Sequence, residues 1–131
     1  MAKGARILII DDEPFIRWMV RQLLLDLGAS QIHEAADGTI GLKETLRLRP
    51  DAVLCDIHMP GEDGLAFLAA LRATASAAVA RTPVIMLTSD KTTGSVVAAK
   101  RLKADGYLVK PLSIGSLKKA LERVLAPPSE V

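Results

Sequence analysis

Ile7-Leu8-Ile9-Ile10 is an aliphatic run with no polar residue at alternate positions, and it ends abruptly on Asp11-Asp12-Glu13. A strand with one wet face would alternate, so both faces of this one must be covered, as in the centre of a parallel sheet flanked by helices. The pattern recurs twice. Ala52-Val53-Leu54-Cys55 lies between Pro50 and Pro60-Gly61 and ends on Asp56, and Pro83-Val84-Ile85-Met86-Leu87 ends on Thr88-Ser89-Asp90. Turn residues bound these runs, so the polar groups fall at the carboxyl ends of the strands. In an open parallel α/β sheet that edge is where ligands bind, in the crevice at the topological switch point.

Around these runs the chain alternates strand and helix patterns about five times, with strands expected near 6–10, 31–35, 52–56, 83–88 and 105–109. The fold class is therefore α/β: a doubly wound, five-stranded parallel sheet with helices on both faces. Phe15, Ile16, Met19, Val20, Leu23, Leu24 and Leu27 recur at three- and four-residue steps, predicting an amphipathic helix that Gly28 closes. Gln31 to Ala35 is half polar and reads as an edge strand. Asp37-Gly38 leads into a second helix that stops before Pro50, and a third follows Gly64 with Leu65, Leu68 and Leu71 on one face. Thr74 to Arg81 either extends that helix or forms a loop. Thr92 to Val97 holds poor helix formers, so a helix there should be marginal.

At 131 residues the chain is expected to be one domain, with a core over about 5–125 and a short tail from 126 to 131. Half of it is apolar and only 3% aromatic, so the core must be aliphatic, and nothing suggests disorder. No apolar stretch is as long as a membrane span and no signal-peptide pattern opens the chain, so a soluble, cytoplasmic protein is expected. A net charge of +2 gives no argument for direct nucleic acid binding. Cys55, alone and inside an apolar strand, reads as a structural thiol.

Three adjoining acidic residues repel one another, and Asp56 brought beside them adds to the repulsion, so something cationic should occupy the site. A hard divalent ion, Mg²⁺ in particular, suits an all-oxygen pocket. Asp11 to Glu13 would equally suit the first turn of a helix with Pro14 at its first position, and both can hold together. The last strand, Tyr107-Leu108-Val109, ends in Lys110-Pro111. An aspartate, a hydroxyl pair and a lysine at neighbouring strand ends each have a use if the chemistry is phosphoryl transfer to Asp56, because a metal, a donor and a fixed cation can each meet a phosphoryl oxygen.

Together, Asp11-Asp12, the Asp56 to Gly64 segment with Met59-Pro60-Gly61 and Asp63-Gly64, Thr88-Ser89, and Tyr107 followed by Lys110-Pro111 resemble the response regulator receiver domains of two-component signalling. The resemblance spans about residues 5 to 125. It implies that Asp56 accepts a phosphoryl group from a histidine kinase or histidine phosphotransfer protein. It implies Mg²⁺ held by Asp12, Asp56 and the backbone carbonyl of His58, and by Asp11 through water. Thr88 and Lys110 would contact the phosphoryl oxygens, Tyr107 would turn inward as Thr88 moves, and Lys110-Pro111 would be cis. The implied strand order is 2-1-3-4-5, the flavodoxin-like order known from the chemotaxis member of the family. His58 and Asp90 occupy the positions where the family tunes phosphoryl lifetime. The His58 side chain reads either as an exposed loop group or as one acting on the acyl phosphate.

The family also implies a switch that promotes only its own phosphorylation and dephosphorylation, and not an enzyme acting on other substrates. A haloacid dehalogenase type of phosphatase would need a second aspartate two residues after the first-strand nucleophile, where Glu13 stands. A flavin module would want a Ser/Thr/Gly-rich phosphate loop, which Asp11-Asp12-Glu13 is not. A pseudo-receiver that only docks partners is disfavoured by the intact set Asp11, Asp12, Asp56, Thr88 and Lys110. Residues 91 to 123 hold eight basic and two acidic residues, which reads either as a solvated face or as the surface for a downstream protein partner with an acidic docking segment. The chain is either a stand-alone regulator or an excised receiver.

Overall fold

The computed structural model describes residues 4–59, 63–89 and 93–125. Pro60, Gly61, Asp90, Lys91, Thr92 and the tail from Ala126, all of which entered the expectations above, lie outside them. Along the chain run β1 (Arg6–Ile10), α1 (Pro14–Asp26), β2 (Gln31–Ala35), α2 (Gly38–Leu48), β3 (Ala52–Asp56), α3 (Gly64–Arg72), α4 (Ala77–Ala80), β4 (Val84–Thr88), α5 (Thr93–Arg101), β5 (Gly106–Val109) and α6 (Ile114–Val124). The strands form one sheet in the order β2-β1-β3-β4-β5, every neighbouring pair parallel. This is the flavodoxin-like order.

Side chains on a strand point alternately to opposite faces, and the apolar runs divide accordingly into two cores. Leu8, Ile10, Val53, Cys55, Val84 and Met86 face Phe67, Leu68 and Leu71 of α3 and Ala99 of α5. Ile7, Ile9, Leu54, Ile85 and Leu87 face Val20 and Leu24 of α1 and Leu117 and Leu121 of α6. Each fully buried aliphatic side chain contributes about 1.5–3 kcal/mol relative to an exposed one. Two covered faces are what an unalternated strand requires. No helix among the described residues is long and apolar enough to cross a membrane.

Local signals set the helix limits. Pro14 opens α1, and Gly28, at φ +94°, closes it with its amide on the Leu25 carbonyl. The helix stops at Asp26, with Leu27 as its cap, and Phe15 is exposed instead of joining the apolar stripe. The Asp37 carboxylate caps α2 through the Ile40 amide, and the Asp63 carboxylate caps α3 through the Ala66 amide. The ambiguous Thr74 to Arg81 segment holds a separate turn of helix, α4. The Thr74 hydroxyl donates back to the Leu71 carbonyl at 2.9 Å where α3 ends, and Ser76 then caps the short helix.

Candidate functional site

Strand register assembles the site. Ile10 pairs with Cys55, so Asp11 and Asp56, one residue further, emerge side by side between β1 and β3. Asp56 pairs with Leu87, which places Thr88 one step beyond it, and Thr88 pairs with Val109, which delivers Lys110 at the next position. Four parallel strands thus present Asp11-Asp12, Asp56, Thr88 and Lys110 at one edge. Asp11, Asp56 and Thr88 are buried there, at 0%, 4% and 1% exposure.

Lys110 ties the carboxylates together. Its Nζ lies 3.0 Å from Asp11 Oδ2 and 3.3 Å from Asp56 Oδ1, and its amide donates to the Thr88 carbonyl at 2.7 Å. The Lys110-Pro111 peptide is cis, as the family resemblance implied. Burial pushes the Asp56 carboxyl above the ordinary aspartate range; the Lys110 ammonium opposes that shift and the Asp11 carboxylate adds to it. Burial likewise disfavours the Lys110 ammonium, but its hydrogen bond to Asp11 and the charges of Asp56 and Asp11 outweigh burial and raise its pKa. Oxygens of Asp11, Asp12 and Asp56 lie within 4.8 Å of one another. Three carboxylates against one ammonium leave net negative charge in an all-oxygen pocket, which fits a hard divalent cation.

The loops around the site are shaped to hold it. The Ile57 carbonyl accepts from the Gly64 amide at 2.8 Å, and a Cβ on Gly64 would overlap the Asp56 carbonyl oxygen, so α3 starts hard against the end of β3. His58 is exposed, and its amide donates to Asp56 Oδ1 at 3.3 Å. Cys55 is fully buried beside Asp56, and burial, reinforced by the Asp56 charge, pushes its thiol well above the ordinary cysteine value. Tyr107 is 39% exposed with Lys100 Nζ 6.0 Å from its ring centroid, outside the carboxylate cluster. An apolar cavity of about 270 Å³ opens beside Lys110, lined by Ile16, Met19 and Leu23 of α1 together with Leu87, Pro111 and Leu112. Phe15 and Trp18, their rings stacked at 6.2 Å, stand exposed on the same helix.

One group at the site was not legible beforehand. Arg17 of α1 donates from Nη1 to the Asp11 carbonyl at 2.6 Å and from Nε to Glu34 of β2 at 2.9 Å. Arg21, one turn on, donates to the other Glu34 oxygen at 2.7 Å. The only hint in the sequence is a pair of arginines four apart on an apolar helix and a glutamate in a short edge strand.

The model of the response regulator receiver domain family matches residues 7–122. The chemotaxis protein CheY-3 of Vibrio cholerae is 34% identical over 122 residues, covering 93% of this chain and 92% of the relative. The solved structure of the CheY4 chemotaxis protein of Vibrio cholerae superposes with a TM-score of 0.83 at 35% identity, over 92% of this chain and 98% of that one. A protein-glutamate methylesterase of a Nocardioides species is 35% identical over 124 residues, 92% of this chain and 33% of that longer protein. With the sheet order, the clustered aspartates and the lysine between them in place, these matches show that the chain belongs to the response regulator receiver domain family of two-component signalling proteins.

Proposed function

We propose that the protein is a phosphorylation-dependent switch that accepts a phosphoryl group on Asp56 from a histidine kinase or histidine phosphotransfer protein. The observation that carries this reading is the buried Asp56 carboxylate at the switch point, held by the Lys110 ammonium and the His58 amide. A carboxylate oxygen of Asp56 would form a bond to phosphorus while the donor's phosphorus–nitrogen bond breaks, the electron pair leaving with the imidazole. Lys110 and the Thr88 hydroxyl would meet phosphoryl oxygens, because both lie at the strand ends next to Asp56. Mg²⁺ would be held by Asp12, Asp56 and the His58 carbonyl, with Asp11 through water, and when bound it supplies positive charge to the phosphoryl oxygens. The apolar cavity beside Lys110 and the exposed Phe15 and Trp18 support a protein as phosphodonor, since they offer docking area that a small phosphate ester would not need.

On the output side Tyr107 would respond to Thr88, and the α5 to β5 region would change shape for a downstream partner with an acidic docking segment. Exposed Lys100, Arg101, Lys103, Lys118, Lys119 and Arg123 support that charge preference. The reading makes residues 1–131 a single receiver domain located in the cytoplasm. It catalyses nothing beyond its own phosphorylation and dephosphorylation, and it contacts neither nucleic acid nor membrane directly.

Acetyl phosphate with Mg²⁺ tests the reading. Mass spectrometry should find one added phosphoryl group on the wild-type chain and none on Asp56→Asn, whose amide cannot become an acyl phosphate. Equal incorporation by the variant would refute the assignment of Asp56. Mg²⁺ should also raise Tm, because the unfolded chain cannot assemble the carboxylate cluster, and Asp12→Ala should lose that response.

A further inference from the structure

We propose that Arg17 is a positioning residue for the metal site, fixing the peptide that joins Asp11 to Asp12 and so the relative aim of their carboxylates. The inference rests on the reading of Asp11, Asp12 and Asp56 as a Mg²⁺ site.

Every polar group of Asp11 is engaged. Its amide donates to the Ala35 carbonyl at 3.1 Å, its Oδ1 accepts from the Glu13 amide at 2.9 Å, and its Oδ2 accepts from Lys110 at 3.0 Å. Its carbonyl, the fourth group, accepts from Arg17 at 2.6 Å. That carbonyl belongs to the peptide whose nitrogen is that of Asp12. Holding its oxygen sets the plane from which the Asp12 side chain departs. Asp12 is the ligand most in need of such help, because no hydrogen bond or ion pair to its carboxylate is found among the described residues, whereas Asp11 and Asp56 are both held by Lys110.

Arg17 is equipped for the task. It leaves α1 one turn after Pro14, its side chain is only 17% exposed, and Nε is anchored on Glu34 Oε1. Glu34 is held in turn by Arg21 Nε, and Arg21 Nη2 reaches the Ile32 carbonyl at 3.2 Å. The guanidinium therefore joins α1, β2 and the β1–α1 turn through two bonds in one plane, a geometry that lysine's single ammonium cannot reproduce.

Calorimetric titration of MgCl₂ into the 131-residue chain separates this role from a purely structural one. Arg17→Met keeps the stem and removes both bonds, while Arg21→Met also loosens Glu34 but touches nothing at Asp11. Arg17→Met is expected to weaken Mg²⁺ binding about tenfold or more, the scale on which groups behind metal ligands act, and Arg21→Met to leave it near wild type. Wild-type affinity in Arg17→Met, or equal losses in the two variants, overturns the proposal. Should Arg17→Met fail to fold, Glu34→Gln removes the charge that anchors Nε while keeping the side-chain shape. It should give a smaller loss in the same direction, and unchanged affinity there overturns the proposal as well. A wild-type chain that binds no Mg²⁺ refutes the metal site itself and this inference with it, a result distinct from the failure of Arg17 alone.

Discussion

The two sides of the Asp56 crevice are built differently. On the β1, β2 and α1 side, Asp11 is engaged at four points and the edge strand β2 is braced to α1 by Arg17 and Arg21 on Glu34. On the β4, β5 and α5 side, Arg72 fastens Asp105 just ahead of β5. Tyr107 and Val97 are each 39% exposed, and among the described residues the one charged contact to the Tyr107 ring is Lys100 at 6.0 Å. A charge event at Asp56 can move only what is weakly held. On the proposed reading, the braced side would give a phosphoryl group a fixed frame and the looser side would be free to report it, which is the arrangement a two-state switch needs.

The most direct way to break this comparison is hydrogen exchange with and without phosphorylation. Protection should change over residues 90 to 110 and stay nearly constant over 14 to 48, and the whole difference should vanish in Asp56→Asn. Larger changes over 14 to 48 would reverse the roles of the two sides. Denaturant melts come next in size. Leu24→Ala, at a fully buried α1 position, should cost about 3 kcal/mol, and Val97→Ala on the exposed face of α5 less than about 0.5 kcal/mol. Similar costs would mean that α5 is packed as firmly as α1.

The smallest effect concerns Glu34. Burial alone would raise its pKa, but the hydrogen bonds from Arg21 and Arg17 and their charges outweigh burial, and the net shift is downward. A carboxyl depressed on folding stabilises the native state above its unfolded value of about 4.5 and loses that contribution as pH falls through the lower, folded value. Melts from pH 7 downward should therefore show wild type exceeding Glu34→Gln by about 0.5–1 kcal/mol at neutral pH, since solvent screens the pairs, with the gap closing below about pH 4.5. A gap that persists at pH 3 would mean that shape, and not charge, braces β2.

Much of the molecule could be read from one dimension because its strands are buried on both faces. β1, β2 and β3 fall where the sequence places them. β4 starts one residue late because Pro83 has no amide to donate and contributes only its carbonyl, which accepts from Val53 at 2.9 Å. β5 starts late because the Asp105 carboxylate turns aside to the Val84 amide at 2.8 Å. That Asp11, Asp12, Asp56, Thr88 and Lys110 would share one edge was legible, since each lies at or just past the carboxyl end of a strand. Arg17 was not. On a periodic helix an arginine reads as a solvent-facing residue, and its partner Glu34 lies 17 positions away on a strand whose place beside β1 only the topology reveals. Phe15 misled for the opposite reason, since it falls within the apolar pattern yet stands exposed on α1.

Cys55 gives this sheet a clock. It is the one thiol in the chain, it sits in the strand that carries Asp56, and native burial both shields it and suppresses its thiolate. A thiol reagent can reach it only when β3 is uncovered, so the labelling rate in native buffer measures how often the centre of the molecule opens. Any ligand that binds the closed crevice must slow that clock by the factor that its concentration and affinity set. Occupancy next to Asp56 could therefore be timed through its neighbouring residue, with no substitution introduced into the chain.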